Sequence, residues 1–551
     1  MNRETLKLNI EGMTCDQCAS NIEQLLTKNE GIKEVKASYP QAICECSFDP
    51  GKTSKEEIIH AIDYTKNYQV KGEISKDGIS GDKEFDLIII GGGSAAFSAA
   101  IKAESLGLKT LMVNAGLDFG GTCVNVGCVP SKTLIRAAET AYHAGHSNFE
   151  GIRPKGADID FVQIIKDKKK LVATLQEKKY MDVVKDFQYL TMLSGWAEFK
   201  DEKTIIVNGK DEYRGLKFLV ATGATTNISD IEGLDKIGYL TNVSLFDLEQ
   251  QPESLTIMGA GYIGLEIAMA YNRLGTKVRI IEFTDRVLRT QTPDISEALE
   301  AQMKSEGIEI LPNFRAVKFE KTGTDTIIHC KCPDGSFTRI VEKGKVVVAT
   351  GTMPNTGKLG LENIGLELTQ SGHIAVNEKM ETSLQNIFAA GDVANTPAYV
   401  YTAAFEGKIV VENAFTGVEN RADYSSLPWV VFTDPQVAGA GLDEVQAKAQ
   451  DIPFEVSKLE LKDVPRAIVA RDTRGFIKLI RHSETDKLIG ARIVAPEGGE
   501  LIQQLSMAIK YGITAKELAD SFYPYLTLSE GIKLAAITFG KDVAKLSCCA
   551  S

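Results

Sequence analysis

Two stretches of this chain, 168 positions apart, carry the same short pattern, and that repetition restricts its fold more than any other feature. F-D-L-I-I-I-G-G-G-S-A-A-F, from Phe85, reads as an apolar strand entering a glycine turn and then a helix. S-L-T-I-M-G-A-G-Y-I-G-L-E, from Ser254, repeats that order. The fingerprint positions are Gly91, Gly93 and Ala96 in the first copy and Gly259, Gly261 and Gly264 in the second. The same offset aligns Leu106-Gly107 with Leu274-Gly275, and Asn114 with Glu282. One such turn is weak evidence. Two, each with a polar residue at the end of the following strand, predict two Rossmann-like dinucleotide-binding folds. Glycine lets the backbone approach a pyrophosphate that rests on a helix N-terminus.

The cysteines add a second constraint. Ten of them fall in five close pairs, at 15 and 18, 44 and 46, 123 and 128, 330 and 332, and 548 and 549. The start of the chain lacks a signal-like apolar run, and no apolar stretch is long enough to span a membrane. The expected compartment is therefore the cytoplasm, where thiols stay reduced and serve redox or metal chemistry better than bridging. A net charge of −12 argues against broad nucleic-acid binding. Cys330 and Cys332, in T-I-I-H-C-K-C, alternate as packing residues on one face of a strand. Cys44 and Cys46 alternate in the same way, with packing the first reading and metal binding the second.

Residues 1–70 read as strand, helix, strand, strand, helix and strand, the ferredoxin-like βαββαβ order. G-M-T-C-D-Q-C sets Cys15 and Cys18 in a loop at a helix N-terminus, where the helix field favours thiolate. This segment resembles the heavy-metal-associated domain, with Cys15 and Cys18 matching its two metal ligands. Residues 71–83 are polar, with three glycines, and read as a flexible linker.

G-G-T-C-V-N-V-G-C-V-P-S-K, residues 120–132, follows the first dinucleotide fold. Two cysteines five apart at the start of a helix can pair only across a distorted turn. From about residue 84 to 540 the chain resembles the flavin disulfide reductases. The resemblance implies FAD on the first fold, held by Gly91, Gly93, Ala96, Gly121, Thr122, Lys132, Ala197, Thr222, Gly223, Asp392 and Val400. It implies a redox-active disulfide in which Cys128 lies against the flavin and Cys123 is the exchanging sulfur. Lys132 would sit near the flavin ring and pair with Glu266. Asn114 departs from the acidic residue the family places on the adenosine ribose. The second fold, with Gly259, Gly261, Gly264 and Glu282, would take the nicotinamide dinucleotide. The carboxylate of Glu282 suits NADH, whereas Arg286 and Arg289 could clamp a 2′-phosphate and the resemblance favours NADPH.

Family members that reduce a disulfide carry His-Pro near the C-terminus, the histidine acting as base. Here the stretch reads S-F-Y-P-Y-L-T-L-S-E, with Tyr523 at the histidine position and His482 the last histidine. A phenol of ordinary pKa near ~10 is a poor base at neutral pH. The chain ends in L-S-C-C-A-S, and adjacent Cys548 and Cys549 cannot readily bridge to each other. The metal-associated domain, the cysteine motif, the Tyr-Pro and the terminal Cys-Cys together resemble the mercury(II)-reducing branch of the family. That implies Hg(II) as substrate, taken from small-molecule and protein thiol carriers by Cys548 and Cys549 and passed to Cys123 and Cys128. Soft thiolates are the ligands such a cation prefers. Tyr180 and Tyr525 match tyrosines beside the inner metal site, with Tyr523 the alternative to Tyr525. The resemblance further implies a homodimer whose active sites are completed by the partner's C-terminus. A general NAD(P)H-dependent disulfide reductase with a fused metal domain is the alternative reading.

The expected organisation is α/β. A metal-binding domain (1–70) and a linker (71–83) precede the FAD-binding domain (84–238 and 353–425). An NAD(P)H-binding domain (239–352), an α+β dimerisation domain (426–542) and a Cys-Cys tail (543–551) complete it.

Overall fold

The computed structural model describes residues 3–13, 16–39, 42–73 and 83–542. The chain divides into two compact units. One comprises Met1–Asn125, Val172–Thr225 and Met353–Ala422; the other comprises Val126–Leu171, Thr226–Thr352 and Asp423–Ser551.

The first unit opens with four antiparallel strands in the order Ile32–Ser38, Ile43–Phe48, Glu4–Glu11, Gln69–Glu73. With the helices Asp16–Leu26 and Lys55–Asp63 they make the expected βαββαβ fold. Ser54 caps the second helix reciprocally with Glu57, which satisfies N–H groups that a helix start leaves open. Period-2 alternation turns Leu6, Leu8, Ile10, Cys44, Cys46 and Phe48 inward against Ile22, Leu26, Ile58 and Ile62.

A larger sheet follows in the same unit. Leu190–Ser194, Thr110–Asn114, Glu84–Ile90 and Asp211–Val220 run parallel. Asp211–Val220 pairs through its first half with antiparallel Thr204–Val207 and through its second half with parallel Ile387–Ala389. Phe85 and Leu87–Ile90 are all buried, as a parallel strand covered on both faces requires. The helix Val400–Phe415 packs closely on Ser94–Leu106. A Cβ on Gly407 would fall 2.1 Å from the Ala95 carbonyl oxygen.

The second unit holds a parallel sheet ordered Glu309–Leu311, Lys277–Ile281, Ser254–Met258, Lys345–Val348. It also holds a three-stranded antiparallel sheet, Arg315–Thr322, Asp325–Lys331 and Phe337–Glu342. A five-stranded antiparallel sheet is ordered Trp429–Val431, Gln436–Gly441, Leu488–Ala495, Phe476–His482, Phe454–Glu460. The helices Gly498–Lys510 and Glu530–Ile537 pack on it around Leu501, Leu505, Ile532 and Ala535. Among the described residues no helix is long and apolar enough to cross a membrane.

A buried charge cluster ties parts of this unit together. Arg273, whose side chain is 1% exposed, makes a two-pronged pair with Glu306 at 2.6 and 2.7 Å. Its third nitrogen reaches Asp434 at 2.9 Å, and the guanidinium lies 4.0 Å over the Tyr142 ring. Removing the cation from such a cluster leaves desolvated carboxylates unpaired. Arg273→Met should therefore lower the unfolding free energy by roughly 3–5 kcal/mol. The same change at Arg279, whose pair with Glu309 is half exposed, should cost under about 1 kcal/mol in urea titrations.

The strand cysteines are packing residues by position. Cys44, Cys46 and Cys330 are at most 1% exposed, whereas Cys332 lies just past the end of its strand and is half-buried. The expected shared face thus holds for Cys330 alone, because the strand stops at Lys331 and the chain turns back at Gly335. Burial pushes the Cys44 thiol up to about 12, and the Cys46 and Cys330 thiols up to about 11. All three stay protonated at pH 8. Alkylation of native, reduced protein at that pH should leave these three thiols unlabelled, and denaturant should expose them.

Candidate redox and dinucleotide site

In the first unit, the turn after strand Glu84–Ile90 is built so that only glycine fits. Gly91 has φ +128°, and a Cβ there would lie 2.1 Å from the Ala221 carbonyl oxygen. A Cβ on Gly121 would lie 2.6 Å from the Cα of Gly93, so two glycine backbones meet where a pyrophosphate would rest. Gly93 begins the helix Ser94–Leu106, on which Ala96 is fully buried. Asn114 ends its strand beside Gly92, and its amide donates to the Leu117 carbonyl at 2.8 Å. Thr222 and Asn355 exchange two hydrogen bonds of 2.9 Å, and Gly223 next to them has open space at its Cβ position. Ala197 is buried at the start of its strand. Burial pushes the Asp392 carboxyl above its usual range, with His373 pulling it back. Its neighbour Gly391 donates its N–H to buried Glu406 on the helix that Val400 starts. This cradle fits FAD.

Cys123 lies on the short helix Gly121–Asn125, which also carries Thr122. Tyr180 sits in a π-helical turn, Glu177–Met181, a wider coil that often marks functional positions. Its ring meets Phe97 edge-on at 5.0 Å, and a Cβ on Gly120 would come within 3.4 Å of it. Tyr180 therefore stands beside the turn that opens the Cys123 helix.

In the second unit, Cys128 is the first residue of the helix Cys128–Gly145, whose positive end favours negative charge. One turn on, Lys132 donates to Glu266 at 2.7 Å, and Glu266 is buried on the helix Tyr262–Arg273. Sequence reasoning missed a third member. The amide N–H of Phe432 donates to the other Glu266 oxygen at 3.0 Å, and the Lys132 ammonium lies 4.4 Å over the Phe432 ring. No spacing signal links residues so far apart, because the donor is a backbone group.

The second glycine turn is equally strict. A Cβ on Gly259, at φ +103°, would lie 2.4 Å from the Ala349 carbonyl oxygen, and one on Gly264 would lie 2.1 Å from that of Gly259. Gly261 faces open space at the start of the helix, as a bound phosphate needs. Glu282 is buried, and its two oxygens accept the N–H groups of Ala260 and Thr284, each at 2.7 Å. Arg286 pairs with Asp285 at 2.9 Å and donates to the Arg289 and Gln291 carbonyls, while Arg289 is 65% exposed. The turn fits a nicotinamide dinucleotide, with both arginines on the loop beyond Glu282.

Tyr523 is half-buried against the C-terminal core, and that burial pushes its phenol above the ordinary range. Tyr525 is exposed. Cys18 is half-buried in the first turn of Asp16–Leu26. Cys15, Cys548 and Cys549 lie outside the described residues.

Residues 85–407 match the pyridine nucleotide-disulphide oxidoreductase model, residues 427–536 the dimerisation domain of the same family, and residues 7–68 the heavy-metal-associated domain. A mercuric reductase from Staphylococcus aureus is 39% identical over 100% of both chains. One from Lysinibacillus sphaericus is 40% identical over 99% of both. Among solved structures, the Cu(II) complex of the HOCl-induced flavoprotein disulfide reductase RclA from Escherichia coli superposes with a TM-score of 0.74. It is 26% identical and covers 83% of this chain and 100% of its own. The chain belongs to the pyridine nucleotide-disulphide oxidoreductases and, within them, to the mercuric reductase family.

Proposed function

We infer that this protein reduces Hg(II) to elemental mercury with NADPH, in mercury detoxification. The reaction balances as Hg(II) plus NADPH giving Hg(0), NADP⁺ and one proton. One observation carries the reading: an intact C-V-N-V-G-C pair is combined with a tyrosine, not a histidine, at the base position. Burial raises the Tyr523 phenol further above neutrality, so it stays protonated and offers a substrate thiol no base near neutral pH. A thiolate-bound metal ion needs none, since each step exchanges one sulfur ligand for another.

Bound FAD supplies a two-electron relay between the nicotinamide and the cysteine pair. The remaining work falls to side chains. Cys548 and Cys549 strip Hg(II) from small-molecule and protein thiol carriers and hand it to Cys123 and Cys128. The helix start at Cys128 and the ammonium of Lys132 one turn later favour thiolate at the inner sulfur. Tyr180 and Tyr525 flank the bound ion, and Arg286 and Arg289 hold the 2′-phosphate. Cys15 and Cys18 form a tethered collector that raises the local supply of metal. The protein acts as a cytoplasmic homodimer through its dimerisation domain, the tail of one subunit serving the cysteine pair of the other.

Substrate choice tests the reading. Without a histidine base, worth about 10²–10⁴-fold in proton transfer, anaerobic NADPH oxidation with glutathione disulfide should run roughly 10²-fold or more below that with Hg(II) in excess thiol. Comparable rates would select the general disulfide reductase instead.

Transfer between subunits has its own test. In a heterodimer, one subunit carries Cys548→Ala with Cys549→Ala and the other carries Cys123→Ala with Cys128→Ala. One site then keeps both pairs, and about half the activity toward mercury on bulky thiols should survive. A verified heterodimer as inactive as its two parents would exclude the exchange.

A further inference from the structure

Glu266 is a buried carboxylate, and a buried carboxylate requires partners for both oxygens. Lys132 supplies one at 2.7 Å, with its own side chain one-third exposed. Phe432 supplies the other through its amide N–H, at 3.0 Å. The same residue turns its ring under the Lys132 ammonium, 4.4 Å from nitrogen to ring centre. A single residue thus holds the acid with its backbone and the base with its side chain.

We propose that Phe432 is a positioning residue for the Lys132–Glu266 pair, fixing the ammonium by a cation–π contact while its amide fixes the carboxylate. The long, flexible lysine stem has many rotamers, and a single ion pair to one oxygen leaves several of them open. The aromatic face removes that freedom from a second direction. Phe432 comes just before Thr433 and Asp434, and Asp434 is held by Arg273 and Arg474 at 2.9 and 2.8 Å. The segment is therefore anchored immediately beyond the ring, so the ring presents a fixed surface rather than an adaptable one. The consequence for the reaction rests on the reading above that Lys132 lies beside the flavin, where an ammonium favours the reduced, more negative ring.

The side-chain role separates cleanly from the backbone role. Phe432→Leu keeps the amide donor and fills the half-buried space, but it removes the aromatic face. Phe432→Tyr keeps both. A cation–π contact of this kind shifts an equilibrium by about 2- to 30-fold.

Flavin midpoint potentials of the dimeric holoenzyme should be measured for the wild type, Phe432→Leu, Phe432→Tyr, Lys132→Met and the Phe432→Leu/Lys132→Met double variant. In parallel, acylation of Lys132 by an amine reagent should be followed by peptide mass spectrometry, with exposed lysines as internal standards. Phe432→Leu should move the potential negative and speed Lys132 labelling within that 2- to 30-fold range. Phe432→Tyr should restore both, and Phe432→Leu should add nothing once Lys132→Met is present. If Lys132→Met moves the potential while Phe432→Leu moves neither potential nor labelling, the proposal is wrong. If Lys132→Met leaves the potential unmoved, the placement of Lys132 beside the flavin is what fails. Labelling then still decides the role of Phe432, and an unchanged Lys132 rate in Phe432→Leu overturns it.

Discussion

A carboxylate taken out of water must find charge or hydrogen-bond donors, and Glu266 meets that demand from two other parts of the chain. It sits on the helix that follows the second glycine turn, takes its cation from the cysteine-bearing helix, and takes its amide donor from the C-terminal sheet segment. Breaking such a pair from one side costs more than either contact contributes alone. One carboxyl group therefore holds Cys128's helix, the nucleotide helix and the Phe432 segment in a common register. The Arg273 cluster repeats the device one helix end away, joining Glu306, Asp434 and the Tyr142 face.

Secondary structure sorts the described thiols by chemistry. Cys44, Cys46 and Cys330 lie on strands, where alternation turns every second side chain into the core and burial keeps the sulfur protonated. Cys18, Cys123 and Cys128 lie in the first turns of helices and are only half-buried, so the helix field reaches them. With Cys332, which lies just past the end of its strand, these three are the described thiols that are not fully buried. Under the proposed reading the phenol at position 523, raised by burial, adds to that sorting: it is a poor base for disulfide exchange, whereas ligand exchange on mercury needs none.

How much of this could be read from residues alone depended on whether the signal was local. The glycine turns were legible because Gly91, Gly259 and Gly264 each answer a close backbone approach that no other residue tolerates. The βαββαβ order was legible from hydrophobic period, and the Lys132–Glu266 pair from family resemblance. Phe432 was not legible, because its donor is a main-chain N–H and its ring contact spans 300 residues of sequence. Cys332 departs from the alternation because the strand ends one residue before it, at Lys331. At the nicotinamide loop, composition showed a glutamate and two arginines but not that Glu282 is already occupied by two backbone N–H groups, or that Asp285 pairs with Arg286.

If the protein reduces Hg(II) as proposed, both electrons from each NADPH end on mercury. The direct measurement is an anaerobic mass balance: NADPH consumed against elemental mercury swept out and trapped, with carrier thiols titrated before and after. The predicted result is one mercury atom per NADPH, with the two carrier thiols of each mercury set free and none formed from a disulfide. NADPH oxidation without mercury vapour, or with more than two thiols appearing per mercury atom trapped, would contradict it.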